Sequence, residues 1–359
     1  MLRIKITPHW ELGREASEAG LSLDTTDLLA LLAAIQESGA IAQGARSMGL
    51  SYRHAWGQIK RAEVLVGHPL LDAGRGRGST LTPLAEKLIW ADRRISARLS
   101  PLLESLASEL ENELDRTLPR QARALRVHAS HGFAVAALVQ QLDCAQLPVE
   151  LRYRNSFESV AALSHGECDL AGFHVPIGEF ERPAAEHYRR WLRDDTHRLV
   201  HLAVRTQGLF AAPGNPKRVR ELDDLKRKDL RFVNRPEGSG TRMLTELMLA
   251  KRAIPPGDVL GFESAEFTHA AVAAFIASGM ADVGIGVQTA AHRFGLHFIP
   301  LVRERYFLAL DSAAAERAPM PQVLQLLRSP AYRSAVAALV GYEAGETGRV
   351  LAVQEAFGG

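Results

Sequence analysis

Past about residue 120 the apolar pattern of this chain changes period, and that change limits the folds open to it. Upstream, apolar residues recur at helical spacing. Downstream, strand-like runs (RALRVHA, VELRYR, DLAGFHV, LVHLAV, DLRFVN, ADVGIG and FIPLV) alternate with helical stretches such as HGFAVAALVQQL, FESVAALSHG, TRMLTELMLAKRA and HAAVAAFIASG. A strand-period pattern does not sit as a helix, nor the reverse. Sustained alternation over residues 119–359 predicts an α/β domain with mostly parallel strands, long enough for two lobes. In such sheets ligands sit beyond the C-terminal strand ends, where helices begin.

Residues 1–82 read differently. MLRIKITPHWEL is a short alternating strand pattern without the apolar core of a secretory signal. TTDLLALLAAIQESG places Leu28, Leu31, Leu32 and Ile35 on one helix face, with Thr25 or Thr26 as N-cap and Gly39 as the stop. A short second helix ends at Gly49, and Ser51 caps a third that Gly67 closes. Two short helices joined by a tight glycine turn predict a helix-turn-helix. Gly74, Gly76 and Gly78 between apolar pairs predict a hairpin wing with Arg75 and Arg77 at its tip. The fold class is thus an N-terminal, mainly α winged helix followed by a two-lobed α/β domain. Residues 83–118 join them: Leu88, Ile95, Leu99, Leu102, Leu106 and Leu110 form a helical apolar stripe, read as a dimerisation helix, with a kink or restart at Ser100-Pro101.

The net charge of +2 rules out a general polycation, yet residues 46–77 hold six basic residues against Glu63 and Asp72. On the third helix Ser51, Tyr52, Arg53, His54, Trp56, Gln58, Lys60 and Arg61 are the groove-facing candidates, with Arg75 and Arg77 from the wing. Arg and Gln suit base edges, Lys, Ser and Tyr suit phosphates, and Trp56 serves core packing equally well. The implied partner is double-stranded DNA. Cys144 and Cys168 fit no metal or disulfide spacing and are read as buried thiols of a cytoplasmic protein. No apolar run reaches membrane-span length.

Four segments of the second domain put hydroxyls or N–H donors near strand ends or where a strand meets a helix: Ser130-His131, Asn155-Ser156, Arg205-Thr206-Gln207-Gly208, and Asn234 to Arg242 (NRPEGSGTR). Helix N-termini favour anions, so the inventory suits a small anionic effector. His131, His174 and His269 lack the carboxylate or thiolate companions of a metal site and are read as donors or core histidines. Asp282 is read as ordering a turn, and Glu304, between Arg303 and Arg305, as an ion-paired strand residue. No nucleophile elbow, HExxH, P-loop or dinucleotide motif is present, so neither catalytic residues nor a catalytic cofactor are assigned.

LLAAIQESGAIAQGARSMGLSYRHAWGQIKRAE, PLLD and STLTPLAEKL resemble the winged helix of ModE-type molybdate-responsive regulators over residues 22–88, in an arrangement similar to LysR-type proteins. That resemblance implies DNA binding as a dimer through the following long helix. Gly44 departs from it, since the family favours alanine, and is expected to loosen the second helix. GNP at Gly214 to Pro216, RFVNRPEGSGTR, THAAVAAFIASGMADVGIG and GLHFIPLVRERY resemble the periplasmic-binding-protein-like (type II) domain found in proteins of molybdate and molybdenum-cofactor metabolism. By that resemblance Ser130, Ser156, Ser239 and Thr241 are hydroxyl donors, Arg242 or Arg235 supplies charge, and His269 and Tyr306 close the cleft, with Asn155, Asn234 and Gly240 alongside. The implied effector is an oxyanion, molybdate before tungstate. Ala129-Ser130-His131-Gly132 and Asn155-Ser156 replace the family's Gly-Ser-His-Asp and Gly-Ser, which leaves a larger ligand open, the molybdenum cofactor or an organic anion. A binding protein of molybdenum metabolism also stays open.

Overall fold

The computed structural model describes residues 4–13, 22–73, 79–117 and 124–357. The chain divides into two compact units, Thr7–Ser96 and Ala97–Gly359, the latter joined by the N-terminal residues, where the Ile4 N–H donates to Glu111.

The smaller unit opens with strands β1 (Glu11–Gly13) and β2 (Ser22–Asp24), an antiparallel pair. Among the described residues of the N-terminal strand pattern, a strand forms only at its end, Glu11–Gly13. Helix α1 (Thr25–Ser38) is capped by Asp24, not by a threonine; the Thr25 hydroxyl instead donates to the Trp10 carbonyl. Gly39 ends α1 in the left-handed region at φ 72°. Helices α2 (Ile41–Ser47) and α3 (Tyr52–Val66) follow, α3 running from the Ser51 cap to Gly67 as expected. Leu28, Leu31, Leu32, Ile35, Ala55 and Ile59 form the core. Strands β3 (Leu71–Ala73) and β4 (Ser79–Leu81) make the wing hairpin. Its tip, with Arg75 and Arg77, lies outside the described residues.

Gly44 does not loosen α2. A Cβ there would sit 2.9 Å from both Ile35 Cγ1 and the Ile35 nitrogen, so the missing side chain lets α1 and α2 close on each other. Replacing it with alanine forces a backbone shift of a kind that costs about 1–3 kcal/mol, set against a helix-propensity gain of about 1 kcal/mol. Gly44→Ala is therefore expected to lower stability in urea denaturation; an unchanged or higher midpoint would show that the contact is slack.

Helix α4 (Pro83–Thr117) is one uninterrupted helix that passes through Pro101 without a restart. Proline has no N–H, so the Ala97 carbonyl one turn back lacks its helical donor. The Thr268 hydroxyl donates to it at 3.3 Å. Within the larger unit, Leu102, Leu106 and Leu110 are exposed on one side of α4, and Ala107, Glu111 and Asn112 are buried on the other.

The larger unit continues with β5 (Leu125–Ala129), α5 (Phe133–Cys144), β6 (Val149–Tyr153), α6 (Ser156–Ser164), β7 (Leu170–Pro176), α7 (Glu181–Tyr188), β8 (His197–Ala211), β9 (Phe232–Val233), α8 (Gly240–Lys251), α9 (His269–Ala277), β10 (Val283–Val287), α10 (Gln288–Arg293) and β11 (His297–Asp311). It closes with α11 (Met320–Arg328), α12 (Pro330–Ala337), β12 (Tyr342–Glu343), β13 (Val350–Ala352) and α13 (Val353–Ala356). The sheet order is β6-β5-β7-β11-β8-β10-β9, with β12 and β13 also on β8. It is mixed, not mostly parallel. β5–β6, β5–β7 and β9–β10 are parallel, but β11 runs antiparallel to β7 and β8, and β10 antiparallel to β8.

The reason is the pair of 15-residue strands β8 and β11, matched from Asp311↔His197 to His297↔Ala211. At roughly 3.3 Å per residue each is long enough to serve both lobes. One lobe packs Val127, Leu138 and Leu308 with Tyr332; the other packs Leu209, Phe232, Leu244 and Ile285. Cys168 is buried as expected, whereas Cys144 is exposed. Among the described residues, no helix is long and apolar enough to cross a membrane.

Candidate functional site

Helix α3 has two faces. Ala55, Ile59, Ala62 and Leu65 enter the core, while Ser51, Tyr52, Arg53, His54, Trp56, Lys60 and Arg61 are exposed. Trp56 belongs to the outer face: its ring stacks on Tyr52 with centroids 6.2 Å apart, and the Lys60 ammonium lies 4.7 Å from the indole. Gln58 is only half-exposed, and its Oε1 is buried without a partner.

In the larger unit, Arg205 on β8 stands opposite Glu304 on β11 in register, and the two ion-pair while almost wholly buried. Glu304 thus pairs across the sheet, not with its neighbours; Arg303 goes to Glu343 and Arg305 to Glu181. Side chains alternate along a strand, so Gln207 shares the face of Arg205 while Thr206 lies on the opposite one. Gln207 Nε2 donates to Glu304 at 2.8 Å and to the Thr241 hydroxyl at 3.1 Å. A carboxylate only accepts, which orients the amide and leaves Gln207 Oε1 buried without a donor. A shift of register between Tyr306 and Phe307 falls beside this pair. Tyr306 is buried, its ring centroid 5.5 Å from the Arg205 guanidinium and 3.9 Å from the His174 ring.

Helix starts gather around these groups. Gly132, the N-cap of α5, stands beside Arg205 Nη1 and Tyr306, and the Ser130 carbonyl accepts from the Tyr306 hydroxyl at 3.4 Å. Asn155 caps α6 in a reciprocal capping box with Glu158, and its amide packs on Gly238. Ser156 Oγ lies 3.4 Å from His174 Nδ1 and adjoins Gly240 at the start of α8. Ser239 caps α8, accepting from the Arg242 N–H at 3.1 Å.

Two residues of the Asn234 to Arg242 run do other work. Asn234 bonds the Phe262 carbonyl and its own neighbour's N–H, and bridges to Ala265, so it staples the turn. Arg242 turns to Glu246, Glu263 and the Phe262 ring. Arg235 is placed differently. This buried guanidinium reaches the Phe267 carbonyl at 2.6 Å and His269 Nδ1 at 3.3 Å, and pairs with no carboxylate among the described residues. Burial, then Arg205, pulls its pKa down to about 9, so it stays charged at neutral pH. An arginine only donates, so His269 accepts at Nδ1 and carries its proton on Nε2. Burial holds His269 well below the usual histidine range, reinforced by Arg235, Arg205, His174 and His131; burial, Arg205 and Arg235 do the same to His174. Arg235 Nε and His174 Nε2 are buried without protein partners. Buried polar groups are rarely left so.

Residues 137–328, more than half of the chain, match the family described as the PBP superfamily domain. The chain belongs to the PBP superfamily. Residues 26–86 match the bacterial regulatory helix-turn-helix protein, lysR family, so the helix-turn-helix expectation holds at that level. The uncharacterized protein YvgK of Bacillus subtilis (strain 168) is 34% identical over 200 residues, 56% of this chain and 64% of YvgK. The molybdenum-pterin-binding protein MopB of Rhodobacter capsulatus is 33% identical over 172 residues, 41% of this chain and 63% of MopB. The chain therefore matches less than two thirds of either relative's length. A solved C206 mutant of Corynebacterium glutamicum OxyR aligns with 87% of this chain and 93% of its own, at TM-score 0.42 and 17% identity.

In this PBP superfamily member α4 touches both lobes. Beyond Pro101, Ser105 accepts from the Tyr153 N–H at 2.9 Å and Ser108 from the Leu151 N–H at 2.8 Å, along strand β6. Glu104 lies 3.7 Å from His131. Before Pro101, the Ala97 carbonyl meets Thr268 and Arg98 lies 3.6 Å from Glu266, next to the Phe267 carbonyl that holds Arg235. Sequence reasoning left Glu304 and Thr268 outside the site and gave Gln207 only as part of the Arg205 to Gly208 segment. Glu304 had a legible signal, since a charged residue within a largely apolar strand must have a partner.

The buried histidines make stability depend on pH. His128 and His201 titrate at about 4, chiefly through burial, and His174 and His269 lie well below their usual value. Unfolded histidine titrates near 6.5, so below that value the unfolded chain binds more protons than the folded one. The histidine contribution is therefore fully present above about pH 6.5 and is lost as pH falls toward 4, by up to about 1.4 kcal/mol per unit for each ring kept neutral. Urea titrations at about pH 7 and pH 5 are expected to show the loss; equal stabilities would mean the rings are solvated.

Proposed function

We propose that the chain is a DNA-binding transcriptional regulator whose α/β domain senses a small oxyanion, molybdate first and tungstate second. The observation that carries the ligand half is Arg235, a buried guanidinium with no carboxylate partner among the described residues, set among hydroxyls and helix starts. The LysR-family helix-turn-helix and the basic outer face of α3 support the DNA half. The name of MopB adds weight to a molybdenum species and keeps a pterin-borne ligand as the second reading. The exposed Leu102, Leu106 and Leu110 of α4 support assembly as a homodimer through that helix. In this reading Ser130, Ser156, Ser239 and Thr241 present hydroxyls to the anion, Arg205 and Arg235 present charge, and His131, Asn155, His269 and Tyr306 frame the cleft. Thr206, Asn234 and Arg242 shape the surrounding backbone.

The test is a titration of the full chain with molybdate, tungstate and sulfate. We expect heat and a thermal shift with the first two, and an operator affinity, at fixed salt, that changes when molybdate is added. No response to any of the three removes the oxyanion from the reading.

The route from ligand to DNA is α4, held to one lobe by Ser105 and Ser108 and to the other through Ala97. Closure of the lobes on an anion loads this helix on either side of Pro101. Pro101→Ala returns a donor to the Ala97 carbonyl in competition with Thr268. Molybdate affinity is expected to persist in that variant, while the change that molybdate makes to DNA affinity shrinks several-fold; an undiminished response would place the route elsewhere.

A further inference from the structure

The groups facing the proposed anion site set a charge that the ligand must match. Arg205 and Arg235 are cationic, and Glu304 neutralises Arg205. His269 accepts a hydrogen bond from Arg235 and so is neutral. His131 faces Glu104 on α4. At most one positive charge is left, on Arg235, before the Glu104 carboxylate beside His131 is counted. A tetrahedral monoanion balances it; molybdate and tungstate, dianions at neutral pH, exceed it by one.

His174 is placed to make up the difference. It sits on β7 between Ser156 of α6, Tyr306 of β11 and Tyr188 of α7, within electrostatic range of Arg205 and Arg235. Its Nδ1 meets Ser156, and its Nε2 is buried with no partner among the described residues. Protonating His269 would break the hydrogen bond from Arg235, whereas protonating His174 breaks none. We propose that a tetrahedral dianion enters this site together with one proton, held by His174. The inference rests on the anion reading given above. The proton comes from solvent to the unprotonated ring nitrogen, and no other bond changes. Burial first, and then the two arginines, disfavours the imidazolium until the second negative charge of the ligand arrives.

Tungstate and perrhenate separate the charges, since both are tetrahedral and of similar size but perrhenate carries one charge. Calorimetry of the full chain near pH 8, in buffers of different ionisation enthalpy, is expected to show uptake of about one proton with tungstate and none with perrhenate. Tungstate affinity is expected to fall toward tenfold per unit as pH rises, with perrhenate affinity flat. His174→Gln is expected to abolish the uptake. Tungstate binding without proton uptake overturns the inference and leaves the anion site standing. Uptake that persists in His174→Gln overturns His174 as the carrier. Tungstate binding where perrhenate fails also overturns it, because the site would then require the second charge. If neither anion binds, the anion reading falls as well.

Discussion

The larger domain depends on one buried ion pair, Arg205 with Glu304, between the two longest strands of its sheet. Burying two charges costs several kcal/mol in desolvation, and such a pair persists only where hydrogen bonds satisfy what remains of each group. Here Gln207 holds the second carboxylate oxygen, and Tyr306 lies across the guanidinium. β8 and β11 serve both lobes, so the pair stands where the lobes share a backbone. Removing one partner would leave an uncompensated charge at that junction, a loss of about 3–5 kcal/mol.

The ligand chemistry follows from that placement. With Arg205 neutralised, the excess charge falls to Arg235, held by a carbonyl and an imidazole that cannot cancel it. Helices α5, α6, α8 and α9 begin at Gly132, Asn155, Ser239 and Thr268, and each helix start adds partial positive charge. The buried histidines stay neutral in this field, so they can donate a hydrogen bond or accept a proton.

Pro101 links the site to the rest of the chain. In an isolated helix its missing N–H would be a defect; here the freed Ala97 carbonyl is taken by Thr268, the cap of the helix that begins with His269. This contact thus lies one residue from the His269 imidazole and its Arg235 partner on one side, and within α4 on the other.

By itself the sequence determined the local order of the fold. Period switching marked the strands and helices, Ser51, Gly39 and Gly67 marked helix ends, and the NRPEGSGTR run marked a turn before a helix, because caps, turns and amphipathic faces depend on neighbours within a few residues. It also placed serines and arginines near strand ends, but not the role of each. Tertiary structure decided that Arg235 and not Arg242 carries the free charge, that Asn234 is a staple, that Gly44 is a contact, and that α4 continues through Pro101. Most of those outcomes turn on a partner well away in the chain, Glu263 for Arg242, Phe262 for Asn234 and Thr268 for Ala97, while Gly44 meets Ile35 of the preceding helix. The mixed sheet was hidden for the same reason, since alternation records which face a residue takes, but not the direction of the strand beside it.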